Sequence, residues 1–176
     1  MATRFRQARR DDLPAIVAML ADDPLGATRE TPEDPEAEHY LRAFAAIDAD
    51  PRHYLAVGED EAGVNAVVQV TSIPGLSRRG ATRALIEAVR VASRCRGQGL
   101  GEQLLEHAID HARAAGASMV QLTSGRSRGD AHRFYERLGF VPSHTGFKLA
   151  LQPRRPPDHD SAAAATARRA HQGDSR

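Results

Sequence analysis

Apolar residues recur along this chain at two periods, and the changes from one to the other divide it into elements. Residues 4–8 read as a short first strand. Asp11, Asp12, Leu13 and Pro14 then bring an acidic cap and a first-turn proline, and Ile16, Val17 and Leu20 share one helical face, so a helix is predicted that ends at 22–26. A polar loop over 27–34 leads to a second helical pattern over 35–48, carried by Ala37, Tyr40, Leu41, Phe44 and Ile47. Strand-like runs follow at 53–58, 65–73 and 85–91, separated by short turn-like links that favour an antiparallel meander. Leu100, Leu104, Leu105, Ala108, Ile109 and Ala112 then mark the buried face of a long helix that Gly116 stops. A strand at 119–123, parallel to the one before the helix, a capped helix at 130–139 and final strands at 140–142 and 147–151 complete the pattern.

Helices and strands thus alternate around one mixed sheet, an α/β (α+β) arrangement that 176 residues with 41% hydrophobic content can close around a single core. Residues 1–151 read as one domain. Residues 152–176 change character, with three prolines, four consecutive alanines and scattered charges, and are expected to be a disordered tail in which Arg154, Arg155, Arg168 and Arg169 are offset by Asp158, Asp160 and Asp174. A formal net charge of +1 argues against a dedicated nucleic-acid or membrane-surface binder. With Cys95 as the sole cysteine and no apolar run long enough for a signal peptide or membrane span, the expectation is a soluble, cytoplasmic protein without an intramolecular disulfide.

The chemistry concentrates where the strand at 85–91 runs through a glycine-rich turn into the long helix. The first turn of a helix has N–H groups without intrahelical partners and a positive dipole end, so it attracts anions. Gly97, Gly99 and Gly101 free this turn of side chains, and Arg94 and Arg96 add positive charge. A P-loop is excluded because Gly101 is followed by Glu102 and Gln103. A dinucleotide fingerprint, and with it a nicotinamide oxidoreductase, is disfavoured because Glu102 stands where the third glycine belongs. Arg96-Gly97-Gln98-Gly99-Leu100-Gly101 instead fits Arg/Gln-x-x-Gly-x-Gly/Ala after a Val-x-Val strand. About forty residues on lies Phe134-Tyr135-Glu136-Arg137-Leu138-Gly139-Phe140.

In that order, with a strand between them, the two stretches resemble the GNAT superfamily of acyl-CoA-dependent N-acetyltransferases over residues 4–151. The resemblance implies a mainly antiparallel sheet with a splayed strand pair and acetyl-CoA as cosubstrate. It implies that the pantetheine arm meets backbone groups at Val89, Arg90 and Val91, and that the pyrophosphate sits on the amides of Gly97, Gln98, Gly99, Leu100, Gly101 and Glu102 beside Arg96. It further implies that Tyr135 protonates the departing thiolate. The acceptor would be a small-molecule or peptide amine, and dimers are common among the proteins it resembles, so a homodimer is allowed. A non-catalytic acyl-CoA-binding sensor or assembly module is the rival reading.

An amine with a pKa near 10.4 needs something to take its proton before it can attack a thioester. Strict alternation sets Glu87 on one face with Leu85, Val89 and Val91, where apolar surroundings would raise its pKa, and this makes it the candidate general base. An ion pair with Arg83, or a bulge that turns Glu87 to solvent, would remove that rationale. Many members of the superfamily carry a glutamate and an asparagine where this chain has Thr123 and Arg128. Arg128 is therefore read as meeting a CoA phosphate or an acidic acceptor.

Other reactive residues are given structural readings. Cys95 is a packing residue, since direct transfer needs no covalent enzyme intermediate. His107 and His111, four apart on the helix, lack the acid of a His-Glu-x-x-His motif and read as surface histidines with no metal. Glu30, Glu33, Asp34, Glu36 and Glu38 form either a solvated acidic segment or an attraction for a cationic acceptor.

Overall fold

The computed structural model describes residues 2–23 and 26–151. It falls into two compact units, 1–142 and 143–176, each taken by itself. In the first, five strands lie in the order β1-β2-β3-β4-β5, with β1 (Arg4–Gln7), β2 (His53–Asp60), β3 (Gly63–Pro74) and β4 (Thr82–Val91) antiparallel in sequence and β5 (Met119–Leu122) parallel to β4. Helix α1 (Leu13–Ala21) follows a single 3-10 turn at Arg10–Asp12, and α2 (Glu38–Asp48) precedes β2. The link from β3 to β4 holds the short segment α3 (Ser77–Gly80), in which Arg78 and Arg79 take left-handed φ values of 53° and 61°. Helix α4 (Leu100–Ala114) crosses from β4 to β5, and α5 (Gly129–Arg137) follows.

The sheet separates two apolar layers, as alternation along its strands requires. On one face Ala56, Val68, Val70, Ala84 and Ile86 pack with Leu104, Leu105, Ala108 and Ala112 of α4, joined by Phe134 and Tyr135 of α5. On the other, Leu55, Val57 and Val67 pack with Ile16 and Met19 of α1 and with Phe44 and Ile47 of α2. A buried ion pair fixes the start of α1: Arg6 Nη1 donates to Asp12 Oδ2 at 2.7 Å, and Asp12 also accepts from the Arg9 N–H at 2.7 Å.

Two expectations fail. The runs 140–142 and 147–151 form no strands. Phe147, Leu149 and Leu151 do alternate, but in the unit 143–176 they are 93%, 86% and 88% exposed, and alternation makes a strand only when its backbone also finds a ladder partner. His107 and His111 are half-buried rather than surface residues. Tyr54 of β2 lies across α4 from them, its hydroxyl 2.9 Å from His107 Nε2 and its ring stacked on His111 at 3.7 Å, while Phe5 stacks on His107 at 5.0 Å. The predicted tail, 152–176, lies outside the described residues.

Candidate active site

The site begins with an irregularity in β4. Val67 pairs with Arg90 and Gln69 with Glu87, so Ala88 and Val89 together oppose Val68, and Ala88 takes φ 53°. This is a β-bulge, and it reverses the facing of the strand beyond it. Ala84 and Ile86 face α4 before the bulge, and Val89 and Val91 pack against that same layer after it. Glu87 therefore does not share a face with Val89 and Val91. It is exposed on the opposite face, beside Gln69, so the apolar surroundings expected from strict alternation are absent, and no ion pair joins it to Arg83.

The strand pair opens at the same place. β4 and β5 pair only from Arg83↔Met119 to Ile86↔Leu122, whereas β4 runs on to Val91, so its β5-facing edge is unpaired from residue 87 onward. Two arginine side chains bond carbonyls along this stretch, Arg90 Nη1 to Val89 O at 2.9 Å and Arg96 Nε to Val91 O at 3.0 Å. Both also reach the end of α1, where Arg96 Nη2 meets Asp22 Oδ2 at 2.7 Å and Arg90 Nη2 meets Asp23 Oδ2 at 3.0 Å. Arg94 is held by Asp60, through contacts of 2.8 and 3.1 Å, and Asp60 in turn bonds the fully buried Asn65. The Arg94 guanidinium keeps the Asp60 carboxyl well below the usual carboxylate range. The positive charge of Arg94 and Arg96 is thus already matched by carboxylates, which the sequence pattern did not reveal.

The turn itself is built as an anion seat. Gly97 and Gly99 have φ of 75° and 81°, open to glycine at no steric cost, and Gly99 is the N-cap of α4 without a side-chain cap. Glu102 and Gln103 both return their N–H groups to Gly99 O, leaving those of Leu100 and Gly101 at the tip without intrahelical acceptors. Gly101 differs from these, without a positive φ, and a Cβ there would lie 3.4 Å from the Phe134 ring and 3.8 Å from Val91. The third glycine thus lies at the contact of α4 with α5, where a methyl group would meet its neighbours at ordinary packing distance.

That docking places Tyr135. Its ring lies between Phe134 and Phe140, 5.4 and 5.9 Å away, and packs on the α4 layer, while its hydroxyl has no hydrogen-bond partner among the described residues. Burial pushes the phenol pKa up, and the charges of Arg128 and Arg90 pull it partly back. Arg128, an exposed residue at the N-cap of α5, therefore lies near Tyr135. Cys95 is half-buried beside Arg94 Nη1 at 3.3 Å, with no histidine pairing it. In the acidic segment, Glu30 accepts from the Tyr40 hydroxyl at 2.8 Å, while Glu33, Asp34, Glu36 and Glu38 are exposed. The described residues bring no three His, Cys, Asp or Glu side chains together in a way that could hold a metal ion, and none of their helices is long and apolar enough to cross a membrane.

A mixed sheet opened at a strand bulge, with a glycine-capped helix starting beside the opening, defines the class as an α/β protein of acyltransferase architecture. The acetyltransferase (GNAT) family model matches residues 13–140. Over 66 residues the chain is 46% identical to the aminoalkylphosphonate N-acetyltransferase of Salmonella typhimurium, a match spanning 38% of this chain and 43% of that protein. Over 161 residues it is 37% identical to the streptothricin acetyltransferase of Streptomyces lavendulae, covering 78% and 80% of the two chains. Among solved structures, a transcriptional regulator from Bacillus halodurans superposes with a TM-score of 0.82 at 43% identity, over 85% of this chain and 100% of that one. The chain belongs to the GNAT acetyltransferase family, and acetyl transfer to an amine is the reaction that membership assigns to it.

Proposed function

We propose that this protein moves the acetyl group of acetyl-CoA to the primary amine of a small molecule by direct attack, within one catalytic domain spanning residues 1–151. The observation that most supports this is a coincidence at one end of β4, where the bulge at Ala88, the unpaired edge beyond Ile86 and the bare N-terminus of α4 lie together. An extended amide-bearing arm can lie along backbone groups of Val89, Arg90 and Val91, and a pyrophosphate can accept from the amides of 97–102, with Leu100 and Gly101 foremost. Arg96, half-exposed and held to one carboxylate, is able to turn from Asp22 to a phosphate. Arg128 stands on the α5 side of the opening, where it can meet a CoA phosphate.

In the reaction the amine nitrogen attacks the thioester carbon, the C–S bond breaks, and the acetyl group leaves on nitrogen. Glu87 takes the amine proton, directly or through a water, from the exposed face of β4. Tyr135 gives its proton to the departing thiolate. A phenol is a weaker acid than a thiol, and burial weakens it further, so the nearby positive charges of Arg128 and Arg90 act in the needed direction by favouring phenolate. Cys95 has no part in this route.

The two relatives act on different amines, an aminoalkylphosphonate and streptothricin by their names, and what they share supports a small-molecule acceptor here. The test is Tyr135→Phe, read by acetyl-CoA calorimetry beside steady-state kinetics. Turnover should fall by about a hundredfold to ten-thousandfold while the acetyl-CoA Kd stays within about threefold, since one hydroxyl that meets only the leaving group contributes little to ground-state affinity. Unchanged turnover would remove Tyr135 from the mechanism.

A further inference from the structure

The exposed face of β4 that carries Glu87 also carries Leu85 and Arg83, because register is unbroken from Thr82 to Glu87 and the intervening Ala84 and Ile86 are 0% and 2% exposed on the other face. Cross-strand pairing extends this face over β3 and β2: Thr71 lies opposite Leu85 and His53, and Ile73 lies opposite Arg83. A pocket of about 320 Å³ lies at the β2 and β3 side of this face, lined by Arg52, His53, Thr71, Ser72, Ile73 and Pro74, with Arg83 on the neighbouring strand opposite Ile73. By strand geometry Thr71 is about 7 Å along the sheet from the row of Glu87. The volume sits at the low end of small-ligand sites and is too small for a folded partner.

The lining residues Arg52 and His53 both face the Asp50 carboxylate, at 2.6 and 4.0 Å, whereas Arg83 on the next strand has no such partner among the described residues. Arg83 Nε is buried without an acceptor, and no carboxylate meets the Arg83 guanidinium among the described residues. Arg78 and Arg79 project from the adjoining turn, the first bonded to Met119 Sδ at 3.9 Å, and both are exposed. Of the other charges bordering the pocket, Arg52 is held by Asp50 at 2.6 Å, and His53 Nδ1 lies 3.0 Å from Thr71 Oγ1. A half-buried guanidinium left with an unmet donor costs free energy that an anionic partner recovers.

We infer that the acceptor is a zwitterion, an amine that also carries a carboxylate or a phosphonate, with Arg83 holding the anion while the amine lies toward Glu87. This rests on the proposed acetyl transfer and deepens it. Arg83 and Glu87 are about 13 Å apart at Cα by strand rise, and the reach of the two side chains shortens the gap to that of a short aminoalkyl acid. Arg78, against Met119 beside Arg83, and the neighbouring Arg79 add positive charge at this end of β4.

The experiment measures CoA-thiol release with an alkylamine, an ω-amino carboxylate and an aminoalkylphosphonate of matched chain length, using wild type, Arg83→Gln and Arg83→Lys. Calorimetry of each amine with the CoA-saturated protein runs in parallel. Wild type should prefer the anionic amines over the alkylamine in kcat/KM by about ten- to a hundredfold, the size of one charge-assisted hydrogen-bonded contact. Arg83→Gln should erase most of that ratio, and Arg83→Lys, which keeps the charge and guards against a folding defect, should restore part of it. The better of the two anionic substrates tells carboxylate from phosphonate. Equal use of all three amines, or a ratio that Arg83→Gln leaves intact, overturns the inference while acetyl transfer stands. If no amine is turned over, the acetyl-transfer reading falls and the acceptor assignment with it, and Arg83-dependent binding of the anionic amines then upholds only the anion site at Arg83, whereas absent binding overturns that site too.

Discussion

Glu87 shows how much a single residue's role depends on its neighbours' backbone. Its place on β4 follows from the sequence, but its face does not, because the left-handed Ala88 breaks the alternation one position later. An alanine carries no signal of positive φ in the way that glycine does, and the bulge exists only because Ala88 and Val89 together oppose Val68 after the strands pair. Gly97 and Gly99 were legible for the opposite reason, since their positive φ suits glycine as a type. The pairs Asp22–Arg96 and Asp23–Arg90 were not, because each joins residues that are adjacent only after folding. With Glu87 on the open face, Glu87→Gln should lower kcat/KM by about a hundredfold or more at neutral pH. The deficit should shrink as pH rises toward the amine pKa of about 10.4, where free amine no longer needs a base. A loss below about threefold at neutral pH, or one constant with pH, would hand the proton to a water chain.

At the scale of elements, the meander β2-β3-β4, the crossover through α4 and the parallel β5 all followed from period and link length, since each element buries a stripe or face that the sequence displays. The segment 147–151 has the same display without the ladder, which no alternation can report. The junction of α4 with β2 was misread because polar histidines at the border of a helical face look solvated until an aromatic neighbour covers them. Here Tyr54 and Phe5 do so. Burial lowers the pKa of both histidines, opposed at His107 by Asp110 and reinforced at His111 by the charge of His107. Below the unfolded value of about 6.5 the unfolded chain therefore binds more protons than the folded one, so this contribution is full above pH 6.5 and is lost as pH falls from there toward the folded pKa values. Urea unfolding at pH 7.5 and 5.5 should show wild type losing more stability on acidification than the His107→Gln/His111→Gln double variant. An equal loss in both would mean that the pair is solvated.

Across the whole unit 1–142, the two faces of one sheet have separate duties. The α4 face is closed by a continuous apolar layer and presents the glycine turn at its edge, so it can hold a long cofactor without rearranging the core. On the α1 and α2 face those helices pack over Leu55, Val57 and Val67, while Glu87 is exposed and Leu85 and Arg83 are half-buried, the side on which the proposed second substrate would lie. The bulge and the parting of β4 from β5 fall at one place on the strand, and the proposed direct transfer would bring the two substrates together there. The central claim is that this site transfers an acetyl group from acetyl-CoA to an amine. It is tested most directly by following free CoA thiol from acetyl-CoA and purified protein with and without a panel of small amines. Thiol release that appears only with amine, matched mole for mole by N-acetylated product, is the predicted result. Tight acetyl-CoA binding with no amine-dependent release across the panel would contradict it and leave an acyl-CoA-binding module without transferase activity.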